Sequence, residues 1–212
     1  MKLVIFGATG KTGRCLIEQA LEIGHHVTAF VRNPDNDKLD SAGSRVQVAV
    51  GDVMNPGDVA QAIQPGTDAV LSALGAKVPF SKTLLFSHGM SNIVAAMHST
   101  GVRRLVVESA YGVGRDDLVW GHRLIVSTLL RGIYADKERE NKVIRASQLD
   151  WTVVQPPALT NDVGSGQFRV WARDKRLPFS AKISRSDVAG FMLQTASTSE
   201  YIEQFVIIDG QR

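Results

Sequence analysis

A chain of 212 residues is long enough for one domain with a full hydrophobic core, and a composition of 44% hydrophobic and 21% charged residues is typical of a globular protein. Its net charge of +3, without a run of lysines and arginines, argues against a nucleic-acid-binding surface. The single cysteine, Cys15, excludes an internal disulfide, and the five histidines do not have the spacing of a metal site.

Short runs rich in Val, Ile and Leu alternate with helical patterns along the chain. The runs predict strands at 2–6, 26–31, 45–50, 69–72, 104–108, 151–155 and 204–208. Helical spacing predicts helices at about 11–23, 56–64, 84–99, 123–148 and 186–197. Because continuously apolar strands separated by helices are typical of a parallel sheet buried on both faces, the sequence predicts one doubly wound α/β domain over residues 1–212.

Two segments, 111–122 and 156–183, show little periodicity; the second has mixed charge and contains Gly164 and Gly166. Long irregular segments in compact domains are commonly lids or binding loops. We therefore expect both segments to lie on the substrate side of the domain.

The chain shows no targeting or membrane pattern. Its first apolar run is about five residues long, which is too short for a signal peptide. No run approaches the ~18 residues of a membrane span. We expect a cytoplasmic protein with no membrane or nucleic-acid partner, and the sequence leaves its oligomeric state open.

A glycine-rich turn joins the first strand to the first helix, with Gly7, Gly10 and Gly13 spaced three apart. Such a turn lets the backbone approach a pyrophosphate and presents the helix N-terminus to it, as in Rossmann-like folds. The spacing differs from Gly-x-Gly-x-x-Gly, and a Walker A loop is excluded because Lys11 and Thr12 precede the last glycine. The sequence predicts a dinucleotide site around this turn, formed by Gly7, Thr9, Gly10, Lys11, Thr12 and Gly13.

Arg32 directly follows the second predicted strand, 19 residues after Gly13, where an NAD site usually carries an acidic residue. A guanidinium matches a 2′-phosphate in charge and in bidentate geometry, and Lys38 could supply a second cation. The sequence therefore predicts NADP (NADPH) in preference to NAD. A solvated arginine at a strand end is the alternative.

Ligands of open α/β sheets bind outside the carboxyl ends of the strands. Residues at those ends are therefore further predicted cofactor contacts: Asp52, Val53, Ala73, Leu74, Gly75, Ser109 and Pro156. For Asp52, an Asx-turn or a helix cap before Pro56 is the alternative.

Several motifs, in this order over nearly the whole chain, resemble a single family. They are GATGKTG (7–13), RN (32–33), GDV (51–53), NIVAAM (92–97), VIR (143–145), WTVVQPP (151–157) and ISRSD (183–187). The chain is thus similar to the atypical short-chain dehydrogenase/reductases, and specifically to the biliverdin-IXβ reductase/flavin reductase group. The resemblance implies NADPH-dependent reduction of a flavin, a quinone or a tetrapyrrole by hydride transfer in a shallow pocket.

The resemblance also implies catalytic residues. Ser109 matches a serine near the nicotinamide and the substrate, where a hydroxyl can donate to developing negative charge. Lys137 matches a lysine that can bind the nicotinamide ribose, with a solvated helix charge as the alternative. Tyr134 is one residue closer to Lys137 than in the Tyr-x-x-x-Lys motif, and a modified acid dyad stays open.

The predicted substrate residues come from the two irregular segments. Aromatic faces beside arginines and lysines suit a small, planar, anionic acceptor such as FMN, or a quinone, while a surface loop anchored by its aromatics is the alternative. Ala158 stands where the biliverdin-IXβ reductases carry a histidine, which argues against the same tetrapyrrole preference. The predicted set is Tyr111, Trp120, Ala158, Phe168 and Trp171.

Three functions are consistent with this pattern. The first is an NADPH-dependent oxidoreductase acting on a planar acceptor. The second is a regulatory protein that senses NAD(P) without turning it over, which the incomplete Tyr–Lys pair favours. The third is an epimerase-like enzyme that uses the cofactor transiently.

Overall fold

The computed structural model describes residues 1–33, 45–76, 84–115 and 117–210. The strands within these ranges are β1 (Lys2–Phe6), β2 (His26–Val31), β3 (Val46–Val50), β4 (Ala69–Ser72), β5 (Arg104–Glu108), β6 (Asp150–Gln155), β7 (Ala158–Thr160), β8 (Phe168–Ala172), β9 (Lys182–Ser184) and β10 (Gln204–Gly210). The helices are α1 (Lys11–Glu22), α2 (Pro56–Ala62), α3 (Leu85–Thr100), α4 (Trp120–Ser127), α5 (Arg131–Ala146) and α6 (Arg185–Ala196).

The main sheet has the strand order β3-β2-β1-β4-β5-β6-β10-β8. Its strands pair in parallel except for β8, which runs antiparallel to β10 at one edge. The chain moves outward from β1 to β3 and then crosses to β4, which opens a crevice between the carboxyl ends of β1 and β4. The predicted Rossmann-like, doubly wound α/β fold is confirmed.

Successive side chains along each strand point to opposite faces of the sheet, so the core has two layers, one on each face. Leu3 and Ile5 of β1 pack with α1 and α6, whereas Val4 and Phe6 pack with α2 and α3. Val106 of β5 belongs to the α1 and α6 layer. Glu108, two residues further along β5, points to the same face and therefore toward α1.

The prediction of one helix over 123–148 is wrong, because the segment forms two helices, α4 and α5, separated by Thr128, Leu129 and Leu130. Thr128 is the C-cap of α4, and its hydroxyl donates to the Leu124 carbonyl oxygen at 2.7 Å. No residue of α4 is buried, whereas α5 buries Ile144 and several polar side chains. Helical spacing alone does not reveal this change in packing.

The expected irregular segment 156–183 contains three strands, so that prediction is wrong over β7, β8 and β9. Ala158 of β7 pairs with Lys182 of β9, and β8 pairs with the distant β10. These pairings join residues far apart in sequence, so the local periodicity of the sequence does not predict them. The other segment, 111–122, consists of turns up to Gly114, and α4 begins at Trp120.

Candidate dinucleotide site

The glycine turn between β1 and α1 is packed against backbone on two sides. Gly7 has a φ of +77°, and a Cβ atom built on it would lie 2.3 Å from the carbonyl oxygen of Ala73. A Cβ atom on Gly13 would lie 2.2 Å from the carbonyl oxygen of Gly7. Both positions thus require glycine, one for the turn and one for the close approach of α1.

The N-terminus of α1 is arranged to receive an anion. Gly10 is the N-cap, so no side chain caps the helix, and its first turn contains no acidic residue. The first N–H groups of a helix point outward and carry the positive end of the helix dipole. Gly10 N donates to the Gly7 carbonyl oxygen at 2.9 Å, and an Arg14 Nη atom donates to the Thr9 carbonyl oxygen at 3.1 Å. These bonds fix the conformation of the turn.

An open cleft of about 480 Å³ lies at the carboxyl ends of β2, β1, β4 and β5. Because these strands are neighbours in that order, the cleft extends from Arg32 after β2 to Ser109 after β5. The predicted cofactor residues that line it are Gly7, Thr9, Gly10, Lys11, Thr12, Arg32, Val53, Ala73, Leu74, Gly75 and Ser109.

Three of the described residues predicted to bind the cofactor do not line this cleft. Asp52 forms the Asx-turn that was its alternative, since its carboxylate accepts from Met54 N at 2.9 Å. Gly13 packs beneath the turn, and the Pro156 carbonyl oxygen accepts from Tyr111 N at 2.8 Å. Lys38 lies outside the described residues.

Ser109 and Lys137 face the cleft next to each other in the fold. Ser109 is buried, and its hydroxyl has no hydrogen-bond partner within the described part of the chain. The ammonium of Lys137 donates to the Glu108 carbonyl oxygen at 3.2 Å and lies 3.6 Å from a carboxylate oxygen of Glu140. It also lies 4.2 Å from the centre of the Phe86 ring. Lys137 is therefore a fixed cation of the site rather than a solvated helix charge.

Two buried carboxyl groups on α5 flank Lys137. Asp136 accepts from Phe86 N at 3.0 Å and from the Ser87 hydroxyl at 2.5 Å, which caps α3 and fixes Phe86 in the cleft wall. Glu140 is fully buried, and burial raises its pKa to about 7. α5 thus supplies both the cation and the support for this wall.

Tyr134 does not join Lys137 in the cleft. Its hydroxyl donates to the Tyr111 carbonyl oxygen at 2.9 Å, and burial raises its pKa to about 12. The structure does not bring the modified dyad of Tyr134 and Lys137 together around the cleft.

None of the five predicted substrate residues lines the cleft. Tyr111 is buried and its hydroxyl accepts from Leu177 N, whereas Trp120 is 80% exposed at the start of α4. Ala158 is exposed at the start of β7, beside Leu159, which does reach the cleft.

The last two of the five lie on the edge strand β8. The Phe168 ring packs edge-on against Phe191, with 5.5 Å between the ring centres. Trp171 Nε1 donates to Asp209 at 2.7 Å, and Trp171 lines a separate surface cavity. The apolar wall beside Ser109 consists instead of Leu85, Phe86, Ile133 and Leu159.

Sequence reasoning missed two charged residues of the cleft, Glu108 and Arg185. The Thr12 hydroxyl donates to a carboxylate oxygen of Glu108 at 3.1 Å, and burial raises the Glu108 pKa above its ordinary value. Arg185 donates to the carbonyl oxygens of Leu159 and Thr160 and so holds β7 at the cleft. The available signal for Glu108 was a carboxylate directly after three apolar residues, at the carboxyl end of β5.

The NAD(P)H-binding family matches residues 7–199 of the chain. The protein belongs to this family. Its glycine turn leaves no room for a Cβ atom at two positions, its α1 N-terminus is uncapped, and Ser109 offers a hydroxyl with no partner among the described residues. These features fit a dinucleotide, with the residues around the turn facing its phosphates. The predicted cofactor class is confirmed.

Similar proteins cover nearly the whole chain. It is 29% identical over 194 residues to the uncharacterized sugar epimerase YhfK of Bacillus subtilis, a match that spans 89% of this chain and 85% of that protein. A solved short-chain dehydrogenase/reductase of Veillonella parvula in complex with NADP has a TM-score of 0.82 at 20% identity, covering 99% and 94% of the two chains. ChuY, an anaerobillin reductase from Escherichia coli, has a TM-score of 0.81 at 22% identity, covering 98% and 96%. The two structural likenesses concern the fold.

Within the described ranges, no helix is long and apolar enough to cross a bilayer. The same residues contain no group of three or more His, Cys, Asp or Glu side chains that could hold a metal ion.

Proposed function

We propose that this protein is an NADPH-dependent oxidoreductase that transfers a hydride to a planar acceptor such as a flavin or a quinone. The observation that carries the proposal is a single cleft that contains the glycine turn, Arg32, and the pair of Ser109 and Lys137. The residues that we propose for phosphate binding, cofactor choice and hydride transfer thus line one cleft.

Arg32 supports the choice of NADPH. It follows β2 directly, is exposed, and lines the cleft together with Lys11. A guanidinium there matches a 2′-phosphate, whereas it offers little to the bare ribose of NADH. The NADP complex of the Veillonella protein, which shares this fold, is consistent with that choice.

Bound NADPH would supply the hydride. The side chains and backbone of the cleft would orient the cofactor and the acceptor and stabilise the charges on them. The N–H groups at the start of α1 face the phosphates, and the ammonium of Lys137 is available to a ribose hydroxyl. Ser109 is held by its own N–H, which donates to the Val154 carbonyl oxygen at 2.8 Å. The Ser109 hydroxyl, which has no hydrogen-bond partner among the described residues, can donate to the acceptor as negative charge develops there.

The apolar wall of Leu85, Phe86, Ile133 and Leu159 favours a flat, largely apolar acceptor over a strongly hydrated one. The open shape of the cleft leaves room for flavins, quinones and also tetrapyrroles. ChuY, which shares the fold, is an anaerobillin reductase, and a tetrapyrrole therefore belongs in any acceptor panel.

The test is the loss of NADPH absorbance in the presence of FMN, riboflavin, a quinone or a linear tetrapyrrole. We expect turnover with at least one acceptor, and slower turnover when NADH replaces NADPH. Tight NADPH binding without turnover across the whole panel would contradict the oxidoreductase proposal.

That outcome would support a second candidate, a protein that senses NAD(P) without turning it over. The position of Tyr134 favours it, because no tyrosine occurs among the described residues of the cleft lining. A sugar nucleotide tested alongside would address epimerase chemistry, which the relative YhfK suggests.

Replacing Ser109 with alanine should lower turnover about tenfold and leave the NADPH Kd nearly unchanged. The loss is smaller than the ~100-fold expected for a localised oxyanion, because a planar acceptor spreads the developing charge. Steady-state rates and an NADPH titration measure the two effects separately.

Ser72→Ala is the matched control, since Ser72 ends β4, is also buried, and also has an unpartnered hydroxyl within the described residues. Ser72 does not line the cleft, so its variant should keep wild-type turnover. Equal rates for the two variants would remove Ser109 from the reaction surface.

A further inference from the structure

Glu108 is a buried carboxyl group that lines the cleft, and the proposed hydride transfer gives it no role. The residue is 8% exposed, and the Thr12 hydroxyl donates to its Oε1 at 3.1 Å. Because Thr12 lies in the first turn of α1, this carboxyl group lies beside the segment that faces the phosphates of a dinucleotide.

Nearby cations are engaged elsewhere. On α5, the ammonium of Lys137 donates to the backbone oxygen of Glu108, not to its carboxylate, and pairs with Glu140. On α6, Arg185 donates to two backbone carbonyl oxygens of β7. No ion pair formed by the described residues includes Glu108.

On α1, the Thr12 hydroxyl and the Cys15 thiol interact with Glu108, and the cationic side chain of Lys11 lines the same cleft. Burial raises the pKa of Glu108, while the charges of Lys137 and Arg185 and the Thr12 hydrogen bond oppose that rise. The positive end of α1 also favours the ionised form.

A dinucleotide changes this balance, because its phosphates bring negative charge to the N-terminus of α1. The phosphates repel an ionised carboxylate beside them and therefore favour its protonation. The same happens when two carboxylates lie side by side and one of them takes up a proton. A neutral carboxyl group is not repelled and gains a hydrogen-bond donor.

Resting on the dinucleotide function proposed above, we infer that the cofactor binds to this protein with Glu108 protonated. At pH values where the free protein holds Glu108 ionised, one proton is taken from solvent as the dinucleotide binds, and the neutral Glu108 carboxyl donates to an oxygen of the bound cofactor. Dinucleotide affinity therefore falls as pH rises, approaching a tenfold increase in Kd per pH unit once free Glu108 is ionised.

The experiment is calorimetry of NADPH binding between pH 7 and 9 in two buffers with different ionisation enthalpies. This range lies above the second ionisation of a phosphate monoester, near pH 6, so the 2′-phosphate adds no proton of its own. NADH, which lacks that phosphate, is the second probe. We expect uptake that rises toward one proton per dinucleotide with both.

Glu108→Gln should bind either dinucleotide without proton uptake and with a Kd that does not change with pH. Glu140→Gln is the control, because Glu140 is the other buried carboxyl group near Lys137 and its pKa of about 7 could produce a similar signal. The control should keep the proton uptake. Thermal melting of both variants shows that they fold. If Glu108→Gln does not fold, the wild-type measurement still tests the inference, because binding without proton uptake contradicts it.

Binding without proton uptake at any pH would overturn the inference and leave the proposed reductase untouched. Uptake that persists in Glu108→Gln, or that disappears only in Glu140→Gln, would also overturn it. A protein that binds neither dinucleotide at any pH would contradict the proposed function itself.

Discussion

Replacing Gly7 with alanine is expected to abolish dinucleotide binding and to lower the free energy of unfolding by about 2–5 kcal/mol. Two effects add. The residue has a φ of +77°, and its new Cβ atom would lie 2.3 Å from the Ala73 carbonyl oxygen, which is backbone and cannot turn away. Either β1 or the segment after β4 must move, and both contribute to the cleft. Urea unfolding and an NADPH titration measure the two consequences.

Gly24→Ala separates the two effects, because Gly24 has a φ of +84° and a Cβ atom added there would meet no described residue within 4 Å. It should cost only the conformational part, about 1–2 kcal/mol, and keep full NADPH affinity. If Gly7→Ala were as stable as Gly24→Ala and bound NADPH normally, the close packing of the turn would not matter to the site.

Replacing Arg32 with alanine should raise the Kd for NADPH by roughly 10- to 150-fold, equivalent to about 1.5–3 kcal/mol for a lost charged hydrogen bond. The side chain is exposed and lines the cleft beside the N-terminus of α1, so its removal leaves the fold intact. Fluorescence titration with NADPH and NADH provides the comparison, because NADH lacks the 2′-phosphate and should lose little affinity.

Arg32→Lys is the matched variant for charge. It keeps the cation but not the bidentate geometry, and an intermediate loss of NADPH affinity is expected. Equal weakening of NADPH and NADH by Arg32→Ala would contradict a role in recognising the 2′-phosphate and would leave the cofactor preference without a structural basis.

Local pattern was enough for the first half of the domain. β1, β2, β4 and β5 have the bounds expected from their apolar runs, because each strand is buried on both faces and carries a continuous signal. The glycine turn was also predictable, since the positive φ of Gly7 and the contact of Gly13 with the Gly7 carbonyl oxygen arise within a few residues of chain.

The C-terminal half was less predictable because its pairings are long-range. β8 lies against β10, and β7 against β9, so the aromatic residues of β8 belong to the sheet edge and not to a substrate loop. Phe168 looked suited to a planar ligand but packs on Phe191. Composition could not distinguish these two uses of an aromatic ring.

By itself, the sequence determined a Rossmann-like fold with a dinucleotide turn, because strand burial, helix spacing and glycine placement are local properties. Only the tertiary structure decided which side chains share the cleft. Thr12 and Glu108 are 96 positions apart, and their hydrogen bond exists because β5 lies two strands from β1 in the sheet and points Glu108 toward α1. Such contacts depend on strand order and side-chain direction, which no short segment of sequence encodes.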